Sequence, residues 1–440
     1  MTHPKDNQQG EEMSNEHGAP QSAGQDMTRR TLLRKAGQGS LALAGAGVLL
    51  DASRVTGARA AGSPASILKS RGPSYTLASK DKPITLPIFS DNKPIKSGLK
   101  PEKGPLVIYD WAYYLSPAVV SSFEKKYGVK AHVTTFATTD EAVNKVASRA
   151  ITPDVWVPSA QQIVQLVAAK LIQPLNHSYI PNLNNVIPAA GDPWYDKGAR
   201  YSTPNFINTF GIGWRNDLIK INPASMKNPW DVFWNQHGGS PVGLCNADPE
   251  DAMTMALIRM GKTSFETLTQ AEINEAAHQI GLIKDAKWQY TAFQQLGTGS
   301  EHLAFCFNGD MEVVPHYLSK NVPLSSVSYY FPANGKGLIL NDQWLIPRTA
   351  KNPVLAHLFL NHFLEEQSAI DNFRDVGYQT MLKGLTMQKL EAAKVAPTHA
   401  IQMAFSPPNF QSLGIPAPIY NTTQIKWIEQ AFTALTSGAA

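Results

Sequence analysis

The chain has 440 residues, 43% hydrophobic and 17% charged, with a net charge of +4. That length allows two or three domains with ample core, and the composition is that of a soluble globular protein. It excludes a disordered chain or one embedded in a membrane, and the lack of a basic run or recognition motif excludes nucleic acid as a partner.

The first informative stretch is MTRRTLLRKAGQGSLALAGAGVLL (27–50), a paired arginine followed by a weakly apolar Gly/Ala-rich run. ARAA (58–61) then supplies a small-residue cleavage site after Ala60. Charged region, apolar region and A-x-A together describe an export signal over residues 1–60. Arg29–Arg30 with Leu32–Leu33 resembles the twin-arginine signal, which makes the twin-arginine export machinery an expected partner and a soluble periplasmic protein the expected product. Cysteine is absent near the cleavage site, so lipid anchoring is not expected. Residues 1–60 hold seven basic and six acidic side chains, and their removal leaves a net charge of +3. A cation-binding function would therefore depend on local acids and not on a global field.

Residues 61–104 are rich in Pro, Lys, Ser and Gly and read as an extended tether or a surface strap. From residue 105 the pattern changes. PLVIYD predicts a strand, SPAVVSSFEKKYG a helix capped by Ser116 and ended by Gly128, VKAHVTTF a strand, TDEAVNKVASRA a helix, PDVWVPS a strand and AQQIVQLVAAKL a helix. This alternation predicts an α/β fold with parallel strands and crossover helices. After a Pro/Asn-rich stretch (174–205), FINTFGIGWR predicts a strand entering a second region with the same alternation. SPVGLC, EHLAFCF and SSVSYYF are its strands, and 249–261 and LTQAEINEAAHQIGLIKDA are its helices, the latter with Thr269 and Glu272 as a capping box. GLILNDQWLIP, a helix at 352–365 and a C-terminal helix complete the chain. Two α/β regions with a late return to the first would make two lobes around a cleft, a preferred place for small ligands.

Nucleophile elbow, zinc-protease, Walker A and dinucleotide motifs are all missing, so neither an enzyme nor a cofactor is expected. The eleven histidines are scattered, and a bound metal is not expected either. Cys245 and Cys306 lie in apolar strand-like runs, where both a disulfide and buried free thiols are open readings. One segment has two readings: NADPEDAMTMALIRMG (246–261) gathers Asp248, Glu250 and Asp251 before a helix. Asp248 as N-cap, Pro249 at the first position and acids on the helix dipole give a structural account. A cation pocket at the helix start gives the other.

The segments LVIYDWAYYLSPAVVSSFEKKYGVKAHVTTF, PDVWVPSAQQIVQL, STPNFINTFGIGWRNDLI, DPEDAMTMALIRMG, CFNGD and LNDQWLIPRTAKNPVLAHLFLNHFL resemble, in that order, the spermidine/putrescine-binding proteins of ABC transporters. The likeness covers roughly residues 105–380. It implies the type II periplasmic-binding-protein fold, in which two α/β lobes joined by hinge strands surround a central cleft. Lobe 1 would comprise 105–208 and 341–387, and lobe 2 would comprise 209–340 and 388–440. It also implies a polyamine ligand, an ABC transporter membrane permease as partner, and a monomer.

A polyamine is a methylene chain with ammonium groups, so its site needs apolar or aromatic walls and carboxylates. Carried over residue by residue, the resemblance makes Trp111 and Tyr114 the aromatic pair of the first turn. Ser159 becomes the polar residue after the third strand, and Asp248 and Asp251 the acids of the opening helix. Phe307 and Asp310 form an aromatic-x-Gly-Asp group, and Asp342 is the acid beside the hinge. Tyr113, Gln161 and Leu340 depart from residues common at those positions, the first often acidic and the others often aromatic. A ferric-ion reading of the same fold would use Tyr113–Tyr114 or Tyr329–Tyr330, although neighbouring strand residues point to opposite faces and only one of each pair serves easily.

Overall fold

A computed structural model describes residues 78–437, apart from 113, 137, 235–238, 246–248, 290 and 407–408. The first α/β run is β1 (Leu106–Trp111), α1 (Pro117–Tyr127), β2 (Ala131–Phe136), α2 (Thr139–Ser148) and β3 (Val155–Trp156). The local chemistry explains the boundaries. The Ser116 hydroxyl accepts from the Ala118 N–H at 3.1 Å, Pro117 needs no donor, and Gly128 ends α1 at φ 67°, where a side chain would be strained. β1 pairs in parallel with β2 and with β3. The helix predicted from Ala160 is split into a 3-10 turn, Ala160–Gln162, and a short α3 (Ile163–Ala168).

Two long strands link the halves of the molecule. β4 (Ser202–Arg215) runs antiparallel to β9 (Gly337–Leu345), and every residue of β9 is buried. Ser202–Pro204 lie opposite Leu345–Gln343, and Ile207–Phe210 lie opposite Asn341–Leu338, with a register shift between them. Pro204 has no N–H to give to the ladder, which suits it to this irregularity. The shift leaves Asp342 outside the paired stretches, and Asp342 instead bridges to Ser159. A shift of this kind re-aims a side chain, and here it re-aims a carboxylate.

Beyond β4 the second half contains β5 (Val242–Leu244), α4 (Pro249–Arg259), α5 (Gln270–Gly281), β6 (Ala286–Trp288), α6 (Ala292–Thr298), β7 (Leu303–Phe307) and β8 (Val327–Tyr330). Thr269 and Glu272 form the predicted capping box of α5. After β9 come α7 (Pro353–Phe363), α8 (Glu366–Val376), β10 (Gly414–Pro416) and the C-terminal α9 (Thr422–Ser437). The sheet order is β2-β1-β3-β9-β4-β7-β5-β6, with β10 beside β9 and β8 beside β4.

The apolar cores follow this division. Ile108, Phe123, Phe206, Trp344 and Phe359 pack on one face of the first half, and Tyr109, Trp156 and Ile163 pack on the other. Phe210, Trp230, Leu257, Ile273 and Phe305 form the main core of the second half. Leu390, Val395 and Ile401 still pack in the first core, whereas Tyr420 and Ile428 pack in the second. Cys245 and Cys306 are buried in different cores and are not joined by a disulfide. Residues 84–102 form a strap on the first half, where Leu86 and Pro87 carbonyls accept from Arg200 and the Tyr201 hydroxyl, and Glu102 accepts from the first N–H groups of α7. Among the described residues, no helix is long and apolar enough to cross a membrane.

Candidate functional site

The predicted residues fall into two adjoining groups. The first is an acid cluster built where strand ends meet the hinge. Trp156 of β3 stands opposite Leu345 of β9, and three residues further along Ser159 stands opposite Asp342. Asn208 of β4 donates through Nδ2 to Asp342 Oδ2 at 2.8 Å. Burial raises the Asp342 carboxyl to about 6, against hydrogen bonds from Asn208 and Ser159 that favour its charged form.

Asp251 comes to this place from the other half. It lies in the first turn of α4 and is buried. Burial, then Glu250, then Asp342 push its carboxyl well above the usual range. Gln161, Gln162 and Gln165 face Glu250, Asp251 and Thr254 across a cavity of about 30 Å³. That space holds little more than one water. Asp248 lies outside the described residues, and with it the capping reading of the 246–261 segment.

A fourth acid was not singled out in the sequence. Asp110 of β1 has 0% exposure. Its Oδ1 accepts from the Trp111 N–H at 2.7 Å, and its Oδ2 has no hydrogen-bond partner among the described residues. Burial and, to a smaller extent, Asp342 drive its carboxyl well above the ordinary value, while the Trp111 N–H acts against them. The available signal was position: an acid at the carboxyl end of a parallel strand, where ligands of open α/β sheets collect.

The second group is a file of aromatic rings. Trp111 lies 4.5 Å from Phe136 and 6.4 Å from Tyr114, centroid to centroid. Tyr114 stacks on Tyr378 at 5.2 Å, Tyr378 meets Phe307 edge-on at 6.3 Å, and Phe307 stacks on Phe210 at 3.9 Å. The Tyr378 hydroxyl donates to Asp310 Oδ1 at 3.0 Å. Tyr378 and Gly309 are so close that a methyl group on Gly309 would overlap the ring, at 2.2 Å. Tyr378 thus joins residues 111 and 114 to residues 307 and 310, and nothing in the sequence marked it. Asn208 and Phe210, two apart on β4, share a face and connect the file to the acids.

Tyr329 gives no support to a ferric-ion site. Burial pushes its phenol well above its ordinary value, and its hydroxyl donates to the Thr209 carbonyl at 2.8 Å. Tyr113 lies outside the described residues. Leu340 and Tyr330 pack in the second core.

Two α/β halves crossed by paired strands, with polar side chains from both meeting at the crossing, define a protein that closes on a small molecule. Residues 118–398 match the family of bacterial extracellular solute-binding proteins, and the chain belongs to that family. It is 24% identical over 295 residues to spermidine/putrescine-binding periplasmic protein 1 of Haemophilus influenzae, covering 66% of this chain and 77% of that one. It is also 24% identical over 277 residues to the putrescine-binding periplasmic protein PotF of Escherichia coli, covering 60% and 75% respectively. Among solved structures, the spermidine/putrescine ABC transporter substrate-binding protein PotD of Streptococcus pneumoniae has the same fold, with a TM-score of 0.62 at 20% identity, covering 76% of this chain and 99% of that one. These relatives are binding proteins of transport systems, not enzymes.

Proposed function

We propose that the protein captures a linear polyamine between its two halves and presents it, as a closed monomer, to the membrane permease of an ABC transporter. One observation carries the reading: the buried polar atoms left unpaired around the acids include a set of acceptors. Asp110 Oδ2, Gln161 Oε1, Gln162 Oε1 and Asn208 Oδ1 have no partner among the described residues. Buried acceptors beside buried carboxylates call for a ligand with several N–H donors and positive charge. The adjoining rings of Trp111, Tyr114 and Phe307 suit a methylene stem, and cation–π contact with them contributes roughly 0.5–2 kcal/mol each. The names of the relatives agree with this chemistry.

The halves act as lobes hinged at β4 and β9. A cavity of about 30 Å³ is too small for a polyamine to enter, so opening precedes binding and the ligand holds the lobes together. In this reading Asp251 and Asp342 receive ammonium groups from opposite walls. Ser159 and Asp310 orient the carboxylates and the ring beside them, and Asp248 adds charge at the start of α4. Calorimetric titration of ligand-stripped protein with putrescine, cadaverine, spermidine and spermine tests this. A saturable heat is expected with at least one, and four flat titrations would overturn the assignment.

Delivery to the periplasm belongs to the same proposal. Arg29 and Arg30 direct export of the folded protein, with cleavage near Ala60, and Arg→Lys at both positions is expected to leave precursor in the cytoplasm. Normal export of that variant in a pulse-chase fractionation would remove the twin-arginine route and leave the binding function standing.

A further inference from the structure

Asp110 has no evident structural employment. A buried carboxylate kept for structure is saturated by donors, as Asp196 is by the N–H groups of Arg200, Tyr201 and Ser202 and by the Ser202 hydroxyl. Asp110 receives one bond, from its own neighbour, and leaves Oδ2 buried without a partner among the described residues. Such a group is costly to bury and is retained where something else completes it.

Strand register says where that completion occurs. Tyr109 stands beside Trp156, and Trp156 beside Leu345, so the residues that follow 109 and 156 and precede 345 lie toward one end of the sheet. Asp110, Ser159 and Asp342 occupy that end. An independent orphan points to the same place. Asn208 is 3% exposed, its amide is fixed by the 2.8 Å bond from Nδ2 to Asp342, and its Oδ1 is left unpaired among the described residues. Among the described residues, no positive side chain appears among the groups acting on Asp110, Asp251 or Asp342, and no Lys or Arg lines the cavity beside Asp251. Asp310, by contrast, has the Tyr378 hydroxyl as an internal donor.

We propose that Asp110 is a specificity-determining residue, a third carboxylate that makes the cleft favour a triamine over a diamine. The inference rests on the polyamine reading above. A diamine brings two ammonium groups and can answer Asp251 and Asp342. The Asp110 carboxylate and the Asn208 carbonyl oxygen then remain for a third, secondary ammonium, whose two N–H donors match these two acceptors. With a diamine bound, Asp110 keeps its own proton and contributes little. With a triamine bound, that proton passes to the buffer and the ionised carboxylate pairs with the ligand.

Parallel titrations of the wild-type protein and Asp110→Asn with spermidine and putrescine, with melting curves of both ligand-free proteins, decide the matter. The expected result is a preference for spermidine in the wild type. In Asp110→Asn, spermidine affinity falls at least tenfold, putrescine affinity changes less than threefold, and melting is unchanged or higher because an unpaired buried acid has gone. An unchanged spermidine-to-putrescine ratio would overturn the proposal. So would a wild type that prefers putrescine, or a variant that melts well below the wild type or fails to fold, since each assigns Asp110 another role. A wild type that binds no polyamine is a different result, which fails the functional reading itself.

Discussion

Two sets of buried aspartates in this molecule are bonded in opposite ways. Asp154 accepts from the Val107 N–H, from the Lys351 and Asn352 N–H groups and from the Asn352 side chain, all at 2.8–2.9 Å. Asp196 likewise receives four bonds from residues 200–202. Each ties a loop to the start of a strand, and neither leaves an unpaired oxygen among the described residues. At the hinge, Asp342 receives two bonds and Asp110 one. The difference separates acids saturated by the chain's own donors from acids that are not; in the proposed function the latter receive a donor from the ligand. Burial alone does not make that distinction; donor supply does.

The largest test of this contrast is the removal of charge at the cleft. Asp251→Asn and Asp342→Asn nearly preserve shape but replace what is, in the proposed complex, a charged acceptor facing an ammonium. Truncating one side of a buried charge pair costs roughly 2–5 kcal/mol, or about 30- to 5,000-fold in affinity. Stability of the ligand-free protein should hold or rise, because a poorly satisfied buried carboxylate is lost. Paired calorimetry and thermal melting check both halves. Unchanged polyamine affinity in Asp251→Asn would return that residue to a purely structural place at the start of α4.

Asp154→Ala should behave in reverse. It strands the Val107, Lys351 and Asn352 N–H groups in part-buried surroundings, and an unsatisfied buried donor costs about 1–3 kcal/mol. We expect a loss of about 3 kcal/mol in denaturant unfolding and less than a threefold change in polyamine affinity for the fraction that folds. A large affinity change without loss of stability would erase the distinction between the two sets.

Much of the fold was legible in the residues because the relevant forces are local. Ser116, Gly128, and Thr269 with Glu272 mark helix ends through single hydrogen bonds or one backbone conformation. The strands at 106–111 and 303–307 show as apolar runs, and β4 shows from Phe206 onward, whereas its first residues, Ser202–Asn205, lie in a stretch read as Pro/Asn-rich connection. What escaped depends on contacts between distant segments. Tyr378 looks like an ordinary aromatic after a helix, yet it links Tyr114 to Phe307, residues far from it and from each other in the sequence. Asp110 was passed over because its missing partner is a property of three dimensions. The register shift in β4 that frees Asp342 could be anticipated only at Pro204, and the side to which it turns the carboxylate could not. Asp251 and Asp342 were named through resemblance, while the small donor supply that distinguishes Asp342 from Asp154 was not legible.

The smallest expected effect is also the most diagnostic, because it separates geometry from charge. Ser159 hydrogen-bonds Asp342 in its ionised form, and burial has already raised that carboxyl to about 6. The sign follows directly. Between the ordinary aspartate value near 3.8 and about 6, the folded ligand-free protein holds a proton that the unfolded chain has released. This group's contribution to stability is therefore present at low pH and is lost as pH rises through 6. Ligand binding runs the other way: an ammonium needs the carboxylate, so affinity should fall below pH 6, by at most about tenfold per pH unit for one group. Ser159→Ala removes a bond that favours the charged form, which moves the Asp342 carboxyl higher still and carries the affinity profile with it. A lost hydrogen bond of this type contributes about 0.5–1.5 kcal/mol, so the change is roughly two- to tenfold. If the serine acts through Asp342, the defect is large at pH 6 and shrinks by pH 8, where the carboxylate is ionised in either protein. If the serine instead touches the ligand, wild type and variant differ by the same factor at every pH, and titrations at pH 5.5, 6.5 and 8 distinguish the two.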